Sequence, residues 1–279
     1  MDRRERLIAV FEDTQAYYTE NRRLANAVQR GKAAVKLYAE NEYPELPDAA
    51  KAGSVAVTKS KTFEAAMRLR KERSNAKIVV LNFASATNPG GGVKSGSSAQ
   101  EESLCRCSTL YPTLNQRRLW DQYYLPNREA NDPLHTDVCI YSPEVVICKT
   151  DESIPQRLPE ERFVTVDVIT CAAPNLRQRP GNYHNPDASK AASITRQQLF
   201  DLHVKRAKHI LHVAAANGVD CLVLGAFGCG AFENDPNIVA KAYAVALEEY
   251  RHRFDVIEFA IYCRDWETQN FDAFRAWCK

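Results

Sequence analysis

The chain has 279 residues, 45% hydrophobic and 26% charged, with 37 Lys plus Arg against 35 Asp plus Glu. That length suits one large domain, or one domain with an extension. The balance of charge excludes a dedicated nucleic-acid binder held by a broad basic surface, and leaves room only for a local basic patch facing a polyanion. The opening MDRRERLIAVFEDTQ is broken by charges and lacks the apolar core of a secretory signal. No run of about 20 apolar residues predicts a transmembrane helix. A cytoplasmic protein with no membrane partner is the expectation. The nine cysteines are odd in number and spread through apolar runs, which reads as buried free thiols in a reducing compartment. Cys105 and Cys107 lack a second close pair, and the six histidines show no ligand spacing. No metal and no catalytic histidine are assigned.

Residues 3–28 read as a helix with Leu7, Val10, Phe11 and Thr14 on one face. After an irregular stretch containing Pro44 and Pro47, residues 54–57 read as a strand. Residues 62–73 read as a helix with Phe63, Ala66, Met67 and Leu69 apolar. Residues 1–74 are therefore expected to be a helical extension packed on a core of 75–279.

Ile78, Val79, Val80, Leu81 and Phe83 form a continuous apolar run, as in a strand covered on both faces. A glycine-rich loop and a helix over 99–111 follow. Tyr123, Tyr124 and Tyr141 fall in a less regular middle, with short strands at 138–141 and 145–148 separated by Ser142-Pro143. Next come a strand at 163–172, a turn at 181–186, and a long helix over 188–217 ended by Gly218. A strand at 221–224, a helix opening at Pro236, a strand at 256–262 and a helix at 271–277 complete the chain. The repeated strand, loop and helix predict an α/β domain of three layers, α/β/α, around a parallel or mixed sheet. In such sheets ligands bind at the carboxyl ends of strands, where the two richest glycine loops lie.

The first loop runs Asn88-Pro89-Gly90-Gly91-Gly92, seven residues, then Gln100-Glu101-Glu102. Consecutive glycines permit a tight turn and close approach to a ligand, and exposed amides there can cradle phosphate. The spacing fits neither a Walker A loop nor a dinucleotide fingerprint. Alone, the glycines also suit a structural turn, and the glutamates suit first-turn acids that favour a helix macrodipole. The second loop is Gly225-Ala226-Phe227-Gly228-Cys229-Gly230-Ala231-Phe232. It reads as a phosphate-binding curve flanked by aromatic rings, or as a tight connection with two core phenylalanines.

The triple glycine, seven-residue spacing and Gln100-Glu101-Glu102 resemble the signature of poly(ADP-ribose) glycohydrolases, in particular their shorter bacterial-type group. The likeness extends through residues 82–111, 140–143, 169–175 and 224–232, and covers roughly residues 75–265. The resemblance implies a macrodomain-like three-layer fold with a mixed central sheet. It implies hydrolysis of ribose–ribose O-glycosidic bonds in poly(ADP-ribose), releasing ADP-ribose from chain ends, with no cofactor. Glu102 would then be the catalytic acid–base, with Glu101 beside it binding the distal ribose or orienting the reacting region, and Asn88 contacting that ribose. Gly90, Gly91 and Gly92 would present backbone to the ligand, the last two on its diphosphate side, with Gln100 holding the glutamates in place. Residues 225–232 would be the diphosphate loop, with Phe227, Gly228, Cys229, Gly230, Ala231 and Phe232 around the ligand.

A hydrolase of mono-ADP-ribosylated protein or nucleic acid would use the same loops. A non-enzymatic ADP-ribose-binding module would keep the glycines and Phe232 but need no glutamate pair. Residues 170–175 read as a cleft wall or as a simple strand end. Tyr183 and His184 fit a ligand contact or a solvated turn equally.

Overall fold

The alternation within the strand Ile78–Phe83 sets the layers. Val79 and Leu81 point into one apolar core, and Ile78 and Val80 into another on the opposite face. The computed structural model describes residues 2–48, 50–181, 185, 188 and 190–278. In chain order its elements are α1 (Arg3–Glu20), α2 (Arg22–Ala34), β1 (Lys36–Tyr38), β2 (Ser54–Thr58), α3 (Thr62–Glu72) and β3 (Ile78–Phe83). The glycine loop then leads to α4 (Gln100–Cys107), α5 (Leu110–Leu114), α6 (Arg117–Leu119), α7 (Leu125–Ala130), β4 (Cys139–Ile147) and β5 (Val164–Cys171). The chain continues through α8 (Arg196–Ala216), β6 (Cys221–Leu224), α9 (Pro236–Tyr250), β7 (Val256–Ala260) and α10 (Gln269–Trp277).

Among the described residues one sheet runs in the order β1-β4-β5-β3-β6-β7-β2. β4 is antiparallel to both its neighbours and every other pairing is parallel, so the sheet is mixed, as expected. One core packs Leu81, Leu224 and Phe259 against Ile210 of α8, Val239 of α9 and Phe274 of α10. The other packs Val80, Val168 and Val223 against Phe11 of α1, Phe63 of α3 and Leu104 of α4. Each such side chain contributes about 1.5–3 kcal/mol on burial, so both helical layers are anchored by the strands that carry the glycine loops.

Several elements depart from the periodicity reading for local reasons. The helix expected over 3–28 breaks at Asn21, whose Oδ1 accepts from Leu24 N at 3.0 Å and caps a second helix. The helix expected over 99–111 stops at Cys107. The Cys107 carbonyl accepts from Cys148 N and Lys149 N instead, at 2.8 and 3.1 Å. The two short strands flanking Ser142-Pro143 are one strand, β4, with its register shifted between Ser142 and Val145. The helix expected from 188 starts at Arg196, behind a reciprocal Thr195–Gln198 capping box. Gly218 takes φ +68° just beyond its end. The extension expected over 1–74 supplies β1 and β2, the two edges of the sheet, so it is built into the sheet rather than packed on it. Most of the turn at 181–186 lies outside the described residues, Tyr183 and His184 with it.

Candidate active site

β3 ends at Phe83, and the chain turns through the glycine loop into α4. Gln100 locks that helix start to the strand. Its Oε1 accepts from Phe83 N at 2.8 Å and its Nε2 donates to Leu81 O at 2.7 Å. The first turn therefore stands at the carboxyl end of the central strand, with Glu101 and Glu102 only 3% and 8% exposed. Glu101 accepts from Ser85 N at 2.7 Å, and from Asn82 Nδ2 and Gly90 N at 3.2 Å each. Glu102 Oε1 accepts from Gly92 N at 2.9 Å, whereas its Oε2 is buried with no hydrogen-bond partner.

The glycines thus act differently from a phosphate cradle. The amides of Gly90 and Gly92 hold the two carboxylates, and Gly91 N donates to Asn88 O at 3.0 Å. Gly91 takes φ +55°, and a Cβ there would stand 2.5 Å from Glu102 Oε1. At Gly91 the carboxylates leave no room for a side chain, whereas a Cβ at Gly90 would meet Tyr111 and one at Gly92 would meet Ser97. Asn88 Oδ1 is bonded by Arg128 Nη2, and Arg128 Nε donates to Thr87 O at 2.8 Å.

Burial and the adjacent Glu102 push the Glu101 pKa up to about 8, against the three donors that favour its charge. A consequence for stability follows. The unfolded Glu101 releases its proton near pH 4.5 and the folded one near pH 8. Its stabilising contribution is full below about 4.5 and is lost as pH rises through about 8. His135 and His203 are held down to about 4 by burial, so their own linkage raises stability only up to about pH 6.5. The melting temperature is therefore expected to fall between pH 6.5 and 8. Glu101→Gln should remove that falling limb in calorimetry, and an unchanged limb would reject the assignment.

The second loop follows β6. Gly228 turns at φ +76°, where a Cβ would meet Ala173 Cβ at 2.5 Å. The N–H groups of Gly228, Gly230, Ala231 and Phe232 donate to no other group among the described residues. Successive free amides on a curve suit an anion. The two rings separate here. Phe227 is 1% exposed and packs edge-on against Phe83 and His203, at 5.8 and 6.4 Å. Phe232 lines the cleft with the Arg177 guanidinium 5.9 Å from its centroid.

Behind the loops stands a polar brace that periodicity does not announce. Arg206 and Asp137, both 1% exposed, pair at 3.0 Å. Arg206 also donates to the carbonyls of Ala172, Leu134 and His135. His203 Nε2 meets Asn234 Oδ1 at 2.8 Å, and Asn234 Nδ2 donates to Pro174 O and Gly228 O. The signal was present in α8, where His203 and Arg206 share the apolar face of Leu199, Ile210 and Val213.

All this borders one cleft of about 810 Å³. Asn88, Gly91, Gly92, Gln100, Glu101, Glu102, Gly228, Gly230, Ala231 and Phe232 line it. Gly90, Phe227 and Cys229 do not, because their side chains or Cα face the packed interior behind the loops.

The family model for the catalytic domain of microbial-type PARG matches residues 7–150. The chain belongs to this family. Poly(ADP-ribose) glycohydrolase from Thermomonospora curvata bound to the inhibitor ADP-HPD superposes with a TM-score of 0.82 at 31% identity, over 98% of this chain and 99% of that one. The Deinococcus radiodurans glycohydrolase in complex with ADP-ribose gives 0.75 at 34% identity, over 89% and 96%. No curated protein sequence matches this chain. The three-layer architecture is that of these glycohydrolases. Among the described residues no helix is long and apolar enough to cross a membrane, and no cluster of three His, Cys, Asp or Glu could hold a metal ion.

Proposed function

We propose that this chain hydrolyses the ribose–ribose O-glycosidic bond of poly(ADP-ribose), releasing ADP-ribose, with Glu102 as the acid–base. Membership of the glycohydrolase family supports the reaction. The observation that carries the assignment of roles is the asymmetry of the two glutamates. Both Glu101 oxygens are pinned by donors, whereas Glu102 is held through Oε1 alone and its Oε2 has no hydrogen-bond partner. A carboxyl that must give and retake a proton needs one such oxygen.

In this reading the free amides of Gly228, Gly230, Ala231 and Phe232 take the diphosphate, and Phe232 flanks the ligand. Asn88 and Glu101 hold the distal ribose beside Glu102. Glu102 protonates the leaving ribose oxygen as the C1″–O bond breaks, and the electron pair stays on that oxygen. The anomeric carbon gains oxocarbenium character, and the carboxylate of Glu102 then takes a proton from the attacking water. Burial and the adjacent Glu102 keep Glu101 protonated up to about pH 8. Release from chain ends rests on likeness to the shorter bacterial-type group.

Product analysis on purified poly(ADP-ribose) tests this. ADP-ribose should appear from the first turnovers without intermediate oligomers. Release confined to mono-modified protein would instead favour the mono-ADP-ribosyl hydrolase reading. Gly91→Ala tests the loop. Its Cβ would force Glu102 aside at a φ that only glycine adopts freely. Displacing a reacting group by about 1 Å costs on the order of 10²-fold, so kcat should fall about that much with Kd for ADP-ribose little changed. A fully active Gly91→Ala would reject this account of the glycines.

A further inference from the structure

The same cleft has a second group of lining residues beside Glu102. Ser103 and Arg106 line it from α4, the helix that carries Glu102. The start of α1 contributes Arg3, Arg4 and Leu7, joined to Ser95 and Ser97 of the glycine loop. Asp151, Glu152, Ser153 and Pro155 contribute next to Ser103. These residues make a lobe that the ADP-ribose placed above, bound at residues 228–232, does not use.

The α1 wall is rigidly built. Arg4 Nε donates to Ser95 O at 2.6 Å, and Gly96, at φ +75°, lies so near α1 that a Cβ would stand 2.5 Å from Arg4 O. Arg106 is buried behind this contact and donates to Ser97 O at 2.6 Å. Arg3 is exposed, close enough to repel Arg106, and has no hydrogen-bond or ion-pair partner among the described residues. Three guanidinium groups thus gather about Ser95–Ser97, and Asp151 and Glu152 are the acidic members of the lobe. Asp151 is already engaged by Lys61 and Ser103.

We propose that this second lobe binds the leaving-side unit of the polymer, with its diphosphate directed to Arg3 on the α1 wall. The inference rests on the glycohydrolase reading. The oxygen that Glu102 protonates belongs to the adenosine ribose of that unit, and its diphosphate is attached to the same sugar. The unit must therefore lie on the side of Glu102 opposite the released ADP-ribose. The carboxylates of Asp151 and Glu152 repel phosphate from their wall, and the guanidinium wall attracts it with planar donors suited to phosphate oxygens. Leaving-side binding is thereby coupled to the register of the scissile bond.

The test uses the full chain carrying Glu102→Gln, which binds without cleaving. It is titrated with ADP-ribose and with a fragment of two ADP-ribose units. The two-unit ligand should bind about tenfold more tightly, with a steeper salt dependence. Adding Arg3→Glu should erase that gain and leave the ADP-ribose Kd unchanged, and Arg3→Lys should retain most of it. Equal melting temperatures guard against a folding effect, which an exposed side chain should not cause. A gain that survives Arg3→Glu, or no gain at all, overturns the lobe assignment. A gain seen instead for a mono-ADP-ribosylated peptide also overturns it. Failure of the wild-type chain to cleave polymer would reject the glycohydrolase reading. An Arg3-independent ratio in a chain that does cleave rejects only the lobe.

Discussion

Glu102→Gln is expected to reduce turnover on poly(ADP-ribose) by about 10²–10⁴-fold or more while ADP-ribose binding is largely preserved. The amide matches the carboxylate in size, and its oxygen can still accept from Gly92 N, so the first turn of α4 keeps its place. The amide can neither protonate the leaving oxygen nor take a proton from water, so both steps lose their acid–base. Glu101→Gln differs in kind. Three donors converge on the Glu101 oxygens, and an amide would turn its NH2 against one of them. That variant should lose ribose positioning as well as rate. Single-turnover kinetics beside calorimetric titration with ADP-ribose separates the two cases. Full turnover by Glu102→Gln would remove Glu102 from its role.

The parts of the fold visible in the sequence are those written in continuous apolar runs or marked turns. β3, β5, β6 and β7, the capped start of α9 at Pro236 and the Gly218 stop of α8 are of this kind. β1 is three residues long, too short to carry a period, and it exists because Lys36–Tyr38 pair with Cys139–Tyr141 a hundred residues on. Residues 117–130 coil through α6, a π-turn and α7, whose buried Tyr123 and Tyr124 follow no single helical stripe.

The site was legible in the same uneven way. Spacing placed Gly90–Gly92 beside Glu101 and Glu102. It could not show that the glycine amides face the carboxylates, because that depends on how the loop closes over α4. Nor could it separate Phe227 from Phe232. Both follow small residues, and only the packing of Phe83 and His203 draws the first ring into the core. Arg206 and Asp137 lie 69 residues apart, and their pairing is a tertiary fact.

That pair carries the largest stability effect expected of any single side chain here. Arg206→Met retains length and apolar volume but removes the guanidinium that holds Asp137 Oδ1 and the carbonyls of Leu134, His135 and Ala172. Breaking a buried ion pair from one side costs about 3–5 kcal/mol, because the remaining charge is left without compensation. Lys205, 2.9 Å from the other Asp137 oxygen, relieves part of that charge but reaches none of the carbonyls. For a chain of this size such a loss corresponds to a fall of roughly 10 °C in melting temperature. Adding Asp137→Asn should recover part of it, since no unpaired carboxylate then remains buried, and the double variant should lose less than the sum of the singles. The damage should also reach the ligand. Asn175 N donates to Pro133 O and Leu176 N to Phe232 O, so the segment that Arg206 pins is tied directly to the second glycine loop. Weaker ADP-ribose binding at a temperature where Arg206→Met is still folded would show that α8 holds the loop amides in register. Unchanged affinity would confine Arg206 to stability alone.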